Sequence, residues 1–181
     1  MSEPVKTVAV IAATPALSSI LTMVLAGDTR LRVREFDSEA ALIAYMRLAP
    51  VEILVCDFDR EGRPAYEMVE AIRLDNSIES REVQVIALTR TITPPMRHQS
   101  ISAGIDEVLI KPMSPRHLLQ RVQARLRPRP VVNGANGYRG PDRRSRASTP
   151  PPLPTHTRRS SDNVVQLFPD RRKPQHPGLE H

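Results

Sequence analysis

The chain has 181 residues, enough for one ordinary domain and a remainder, and its formal net charge of +6 is unevenly placed. Residues 1–127 hold 16 Lys+Arg against 16 Asp+Glu, whereas residues 128–181 hold 10 basic residues against 4 acids, together with 10 of the 18 prolines. The single cysteine, Cys56, excludes an intramolecular disulfide, no apolar run approaches the roughly 18 residues of a membrane span, and residues 1–30 lack the basic start and cleavage pattern of a signal peptide; a cytoplasmic protein without membrane insertion is expected.

The first 127 residues alternate between two periods. Val8 to Ile11 is a short apolar run of the kind a buried parallel strand needs. Leu17, Ile20, Leu21, Val24 and Leu25 then recur at helical spacing, and Leu31 to Phe36 alternates as a strand. Ser38 is placed to cap the next helix, which carries Ala41, Leu42, Tyr45 and Met46. Ile53 to Cys56 predicts a third strand, followed by a helix through Tyr66, Met68, Val69 and Ile72. Val83 to Leu88 predicts strand four, residues 95–103 a helix ending at Gly104, and Glu107 to Ile110 strand five. Leu118, Leu119, Val122 and Leu126 mark a last helix, with Pro128 and Pro130 beyond it. Five βα units predict an α/β fold over residues 5–127, a five-stranded parallel sheet wound on both faces. Ligands of such sheets sit beyond the carboxyl ends of the strands.

Three polar residues fall at successive strand ends: Asp57 after strand three, Thr89 after strand four and Lys111, followed by Pro112, after strand five. A carboxylate, a hydroxyl and an ammonium converging on one edge suit phosphoryl transfer to Asp57, with Lys111 and Thr89 on the phosphoryl oxygens. In the segments VCDFD, ALTR and LIKP, and in the order of its elements, the chain resembles the CheY-like receiver domains of response regulators. The resemblance implies a docking domain switched by phosphorylation, and it also exposes departures. The acid pair that holds magnesium after strand one in receivers is here Ala12-Ala13. The aromatic switch position falls on Val108, and Arg60-Glu61-Gly62-Arg63-Pro64 replaces the usual proline-glycine turn. Without the pair a cation loses most of its ligands, so Asp57, Thr89 and Lys111 are expected to be a vestigial acceptor site, with no metal. Asp59 could supply one stray carboxylate to the site, but is expected to face solvent.

Past residue 128 no period holds for more than five residues, and residues 128–178 are expected to be a tail without structure until a ligand orders it. Asn133 to Gly137 is turn-rich, and PPPLP at 150–154 favours polyproline II. Leu179-Glu180-His181 reads as the scar of a tag. Within the tail, Arg139-Gly140-Pro141-Asp142 has the pattern RxxD, which returns 20 residues later as Arg159-Ser160-Ser161-Asp162. Tyr138 precedes the first copy, Arg143, Arg144 and Arg146 follow it, and Arg158 precedes the second. Arginine's planar fork can donate to guanine O6 and N7, and an aspartate can accept from the guanine N1 and N2 hydrogens. The other arginines can pair with phosphates or stack on purines, as can Tyr138. A compact ligand carrying both guanines and phosphates meets all of these needs.

Cyclic di-GMP is such a ligand, and RxxD resembles the motif that binds it at the inhibitory site of diguanylate cyclases. Two intercalated messengers form a nearly two-fold symmetric stack, which suits two half-sites on a proline-stiffened linker. Behind a receiver lacking its acids, this tail is similar to that of the CheY-like cyclic di-GMP effectors of alphaproteobacteria, the Cle group. That resemblance implies a non-enzymatic, monomeric adaptor without a cofactor, which docks on the flagellar motor switch and is recruited to the flagellated pole. The alternative is a phosphorylatable receiver whose basic tail meets polyanions non-specifically. Few aromatics and no reading head speak against sequence-specific nucleic-acid binding. Val164 to Phe168 is the one apolar cluster of the tail, either without a role or docking once the tail is ordered.

Overall fold

The computed structural model describes residues 4–59, 63–126, 131–133, 139–141 and 164–165. The elements run Lys6–Ile11 (β1), Pro15–Ala26 (α1), Leu31–Phe36 (β2), Glu39–Met46 (α2), Ile53–Asp57 (β3), Ala65–Leu74 (α3), Gln84–Thr89 (β4), Pro94–Ala103 (α4), Glu107–Ile110 (β5) and Pro115–Arg125 (α5). Three short strands follow, Val131–Asn133 (β6), Arg139–Pro141 (β7) and Val164–Val165 (β8). The main sheet has the order β2-β1-β3-β4-β5-β8, its first five strands parallel, so strand order reverses between β1 and β3.

Alternation along β1 explains the layering. Val8 and Val10 join Leu21, Leu25, Leu118 and Val122 in the core under α1 and α5, whereas Ala9 and Ile11 join Leu42, Met46, Met68 and Ile72 under α2 and α3. Helix starts follow local chemistry: the side chains of Thr14, Ser38, Thr93 and Ser114 each accept a backbone N–H in the first turn. Gly104 ends α4 at φ 103°, a left-handed conformation that glycine adopts without strain. The expected five-stranded sheet is present, with shifted bounds in β1, β3 and β4, the last starting at Gln84 and not at Val83. β1 begins at Lys6, and Asp57 and Thr89 are the last residues of their strands, not the residues after them.

Three short strands are the described part of the tail. β6 and β7 pair antiparallel, Val132 opposite Gly140, and β8 pairs antiparallel with β5, Val108 opposite Val165 and Leu109 opposite Val164. β-Branched Val131 and Val132 before the turn-rich NGANG segment favour a strand entering a turn, but strands of two or three residues are too short to show a period in sequence. The rest of residues 128–178 lies outside the described residues. Among the described residues no helix is long and apolar enough to cross a membrane.

One buried ion pair fixes α5 to β5. Arg125 donates from Nε and Nη2 to Glu107 Oε2 at 2.7 and 2.6 Å, and Arg121 pairs with the other oxygen. Burial alone would raise the Glu107 carboxyl; the charges of Arg125 and Arg121 hold it below its ordinary value. Removing the carboxylate leaves the buried Arg125 guanidinium uncompensated. Glu107→Ala is therefore expected to destabilise the domain by about 3–5 kcal/mol. Thermal unfolding checks this, and an unchanged midpoint would contradict it.

Candidate functional site

β3, β4 and β5 end side by side and bring Asp57, Thr89 and Lys111 to one edge of the sheet. Asp57 is buried, and its Oδ1 accepts from Lys111 Nζ at 2.7 Å and from the Asp59 N–H at 3.0 Å. Its other oxygen accepts from the Ala13 N–H at 3.3 Å. The predicted convergence of the three residues is thus present.

Asp59 corrects the expectation of a solvent-facing side chain. Only 26% of its side chain is exposed, and Oδ2 lies 2.8 Å from Lys111 Nζ. The same oxygen accepts from the Arg90 N–H at 3.1 Å, with the Arg90 guanidinium at 3.7 Å. Thr89 Oγ1 stands 3.3 Å from Asp59 Oδ1 but 2.6 Å from the Thr91 carbonyl. A hydroxyl has one proton to give, so the Thr91 contact takes it, and Lys111 and the Arg90 amide are the principal holders of Asp59. Burial alone would raise the Asp59 carboxyl; Lys111 and the Arg90 amide hold it below its ordinary value. Asp59 therefore stays ionised at neutral pH, and its contact with Lys111 is lost only as pH falls through that lowered value.

Lys111 thus sits between two carboxylates. An anion approaching Lys111 and the Arg90 amide meets the Asp59 carboxylate first. Two surface cavities, about 360 and 610 Å³, stand away from this edge. One borders Lys6, Glu52 and Arg125, the other Tyr66, Glu70 and Gln99 between α3 and α4.

A model of the response regulator receiver domain matches residues 8–123. The chain belongs to the response regulator receiver family. It is 29% identical over 113 residues to the DNA-binding response regulator MtrA of Mycolicibacterium smegmatis, covering 62% of this chain and 47% of MtrA. It is 27% identical over 91 residues to the cyclic di-GMP phosphodiesterase response regulator RpfG of Xanthomonas campestris pv. campestris, covering 50% of this chain and 24% of RpfG. The chain thus spans about half the length of MtrA and about a quarter of RpfG. Among solved structures, chemotaxis response regulator CheY4 of Vibrio cholerae superposes with a TM-score of 0.59 at 19% identity, over 67% of this chain and 98% of CheY4. A response regulator from Chloroflexus aurantiacus gives 0.60 at 22% identity, over 68% and 98% of the two chains.

Magnesium is the ion that receivers hold at this edge, and the donors of this chain do not fit it. The Ala12-Ala13 side chains offer no oxygen. The two carboxylates, Asp57 and Asp59, are both engaged by the Lys111 ammonium, which supplies the cationic charge itself. Val108, at the aromatic switch position, is buried.

Of the tail residues singled out above, the described residues include Arg139, whose backbone opens β7 opposite Asn133. β7 lies against α3. Tyr138, Asp142, Arg143, Arg144, Arg146, Arg158, Arg159 and Asp162 lie outside the described residues. In sequence, Asp162 stands two residues before β8. Each RxxD segment therefore has one end at or beside a strand paired within the described structure.

Proposed function

We propose that the chain is a cyclic di-GMP effector: a receiver fold used as a docking scaffold, with a basic tail that captures the messenger and a protein partner that reads the result. The observation that carries this reading is the repeated RxxD, an acid kept three residues after an arginine in a segment that otherwise holds the whole basic excess. A polyanion binder gains nothing from those aspartates, whereas a guanine binder needs them for the N1–H and N2–H edge. The messenger is bound by Arg139, Asp142, Arg159 and Asp162 on the guanines. Arg143, Arg144, Arg146 and Arg158 meet the phosphates, and Tyr138 stacks. An intercalated pair of messengers, one to each RxxD, matches the repeat.

The receiver supports this division of labour. Its acceptor edge has no acid pair, and Asp59 already occupies the place at Lys111, so an input other than phosphorylation is required. Likeness to RpfG sets the chain beside a regulator whose name carries the same messenger. The partner is a protein that docks on the receiver, by the resemblance of the tail a component of the flagellar motor switch, and the chain has no enzymatic activity of its own. Competition tests the reading. GTP and cyclic di-AMP are expected to displace labelled cyclic di-GMP poorly, and affinity is expected to fall only modestly with salt. Equal displacement by all three, with the steep salt dependence of counterion release, would replace it by non-specific anion binding.

A further inference from the structure

The two edges of the main sheet are not alike. β2 forms one edge with the sequence LRVREF, which carries Arg32, Arg34 and Glu35, charges of the kind that keep foreign strands away. β5, with the sequence EVLI, has no charge after its first residue and no proline, so its outer N–H and C=O groups are an unguarded template. That edge carries β8, Val164 opposite Leu109 and Val165 opposite Val108. The Lys111 N–H points inward to Thr89 O, and Leu88 O faces β3, where it accepts from the Phe58 N–H; two-residue alternation therefore turns the Leu109 N–H inward, toward β4, and the Val108 N–H outward, toward Val165.

We infer that the β5 edge is a strand-docking surface whose occupant is this chain's own Val164–Val165 segment, and that messenger binding at the neighbouring RxxD controls its occupancy. The inference rests on the function proposed above and adds the element through which binding reaches the receiver. A two-residue strand is too short to hold an edge by itself, so its seating is easily tipped by whatever happens to the chain beside it. Asp162 lies two residues before Val164, and Arg139 is already placed in β7 against α3. A ligand held between the two RxxD segments ties residues 139 and 162 together. The loop that must close for β8 to reach β5 is then shorter, and seating costs less chain entropy. Binding therefore strengthens the added strand and alters the outline of the receiver beside α4 and α5.

Amide hydrogen exchange at Val108 in the full chain tests this, with cyclic di-GMP as the probe and calorimetry run on the same samples. Exchange is expected to slow about tenfold on saturation with the messenger. Val165→Pro removes the N–H that the segment presents to Val108 and is expected to abolish that slowing while the messenger still binds; Val165→Ile is expected to preserve it. Messenger binding without any change at Val108, or with faster exchange, overturns the strand proposal and leaves the effector reading standing. No calorimetric binding to the wild-type chain overturns both. Protection that grows with protein concentration overturns the intramolecular assignment in favour of a second copy as the occupant.

Discussion

Replacing Asp142 or Asp162 by alanine is expected to weaken cyclic di-GMP binding by roughly 10- to 100-fold, since a hydrogen bond to a charged group contributes about 1.5–3 kcal/mol. The direction matters more than the size. Each substitution removes a negative charge from a segment that is otherwise basic. Any ligand bound through charge alone must then bind more tightly, because local repulsion has been lifted. A guanine must bind less tightly, because its N1–H and N2–H donors lose their acceptor and remain desolvated. Arg139→Ala does not separate the readings, since both lose affinity. If alanine at either aspartate leaves affinity unchanged or raises it, the tail is a polyanion binder.

The second large effect concerns the acceptor edge. The wild-type chain is expected to take no phosphoryl group from acetyl phosphate with magnesium on the timescale of ordinary receivers. Restoring the acids and releasing the internal carboxylate, as Ala12→Asp, Ala13→Asp and Asp59→Asn together, is expected to raise the rate roughly 100-fold or more, because phosphoryl transfer depends almost wholly on charge neutralisation and positioning. The two new carboxylates supply oxygens for the cation. The asparagine frees Lys111 and the Arg90 amide to meet phosphoryl oxygens, while Asp57, Thr89 and Lys111 are left in place. Intact mass after incubation reads the outcome directly. Wild-type labelling as fast as that of the triple variant would mean that the missing pair and the Asp59 contact do not disable the site.

Much of the fold was legible because periods were long and punctuation was clear. Glu107–Ile110 has the bounds that its apolar run implied, Ser38 caps α2, and Gly104 closes α4. The convergence of Asp57, Thr89 and Lys111 followed from the rule that successive parallel strands end on one edge. Asp59 was misplaced because position beyond a strand says little about which way a side chain turns. A signal was nevertheless present: Asp57 can take the Asp59 N–H in an Asx-type turn, which keeps the two carboxylates near one lysine at that edge. Arg73 was missed for a different reason. It falls at a polar place in a helical pattern, yet it is buried, with Nη2 donating to the Val83 and Gly104 carbonyls. Those acceptors belong to loops far away in sequence, and no local pattern announces them. β8 has two residues and hence no period, so its register against β5 could come only from the assembled sheet.

Whether the tail binds the messenger is decided most directly by one titration. Cyclic di-GMP titrated by calorimetry into the full chain, and into residues 1–127 alone, separates the tail from the receiver, whose two cores lie wholly before residue 127. The prediction is saturable heat with a pair of messengers per full chain and none for the truncated chain. Equal heats from the two proteins, or no heat from either, would contradict it.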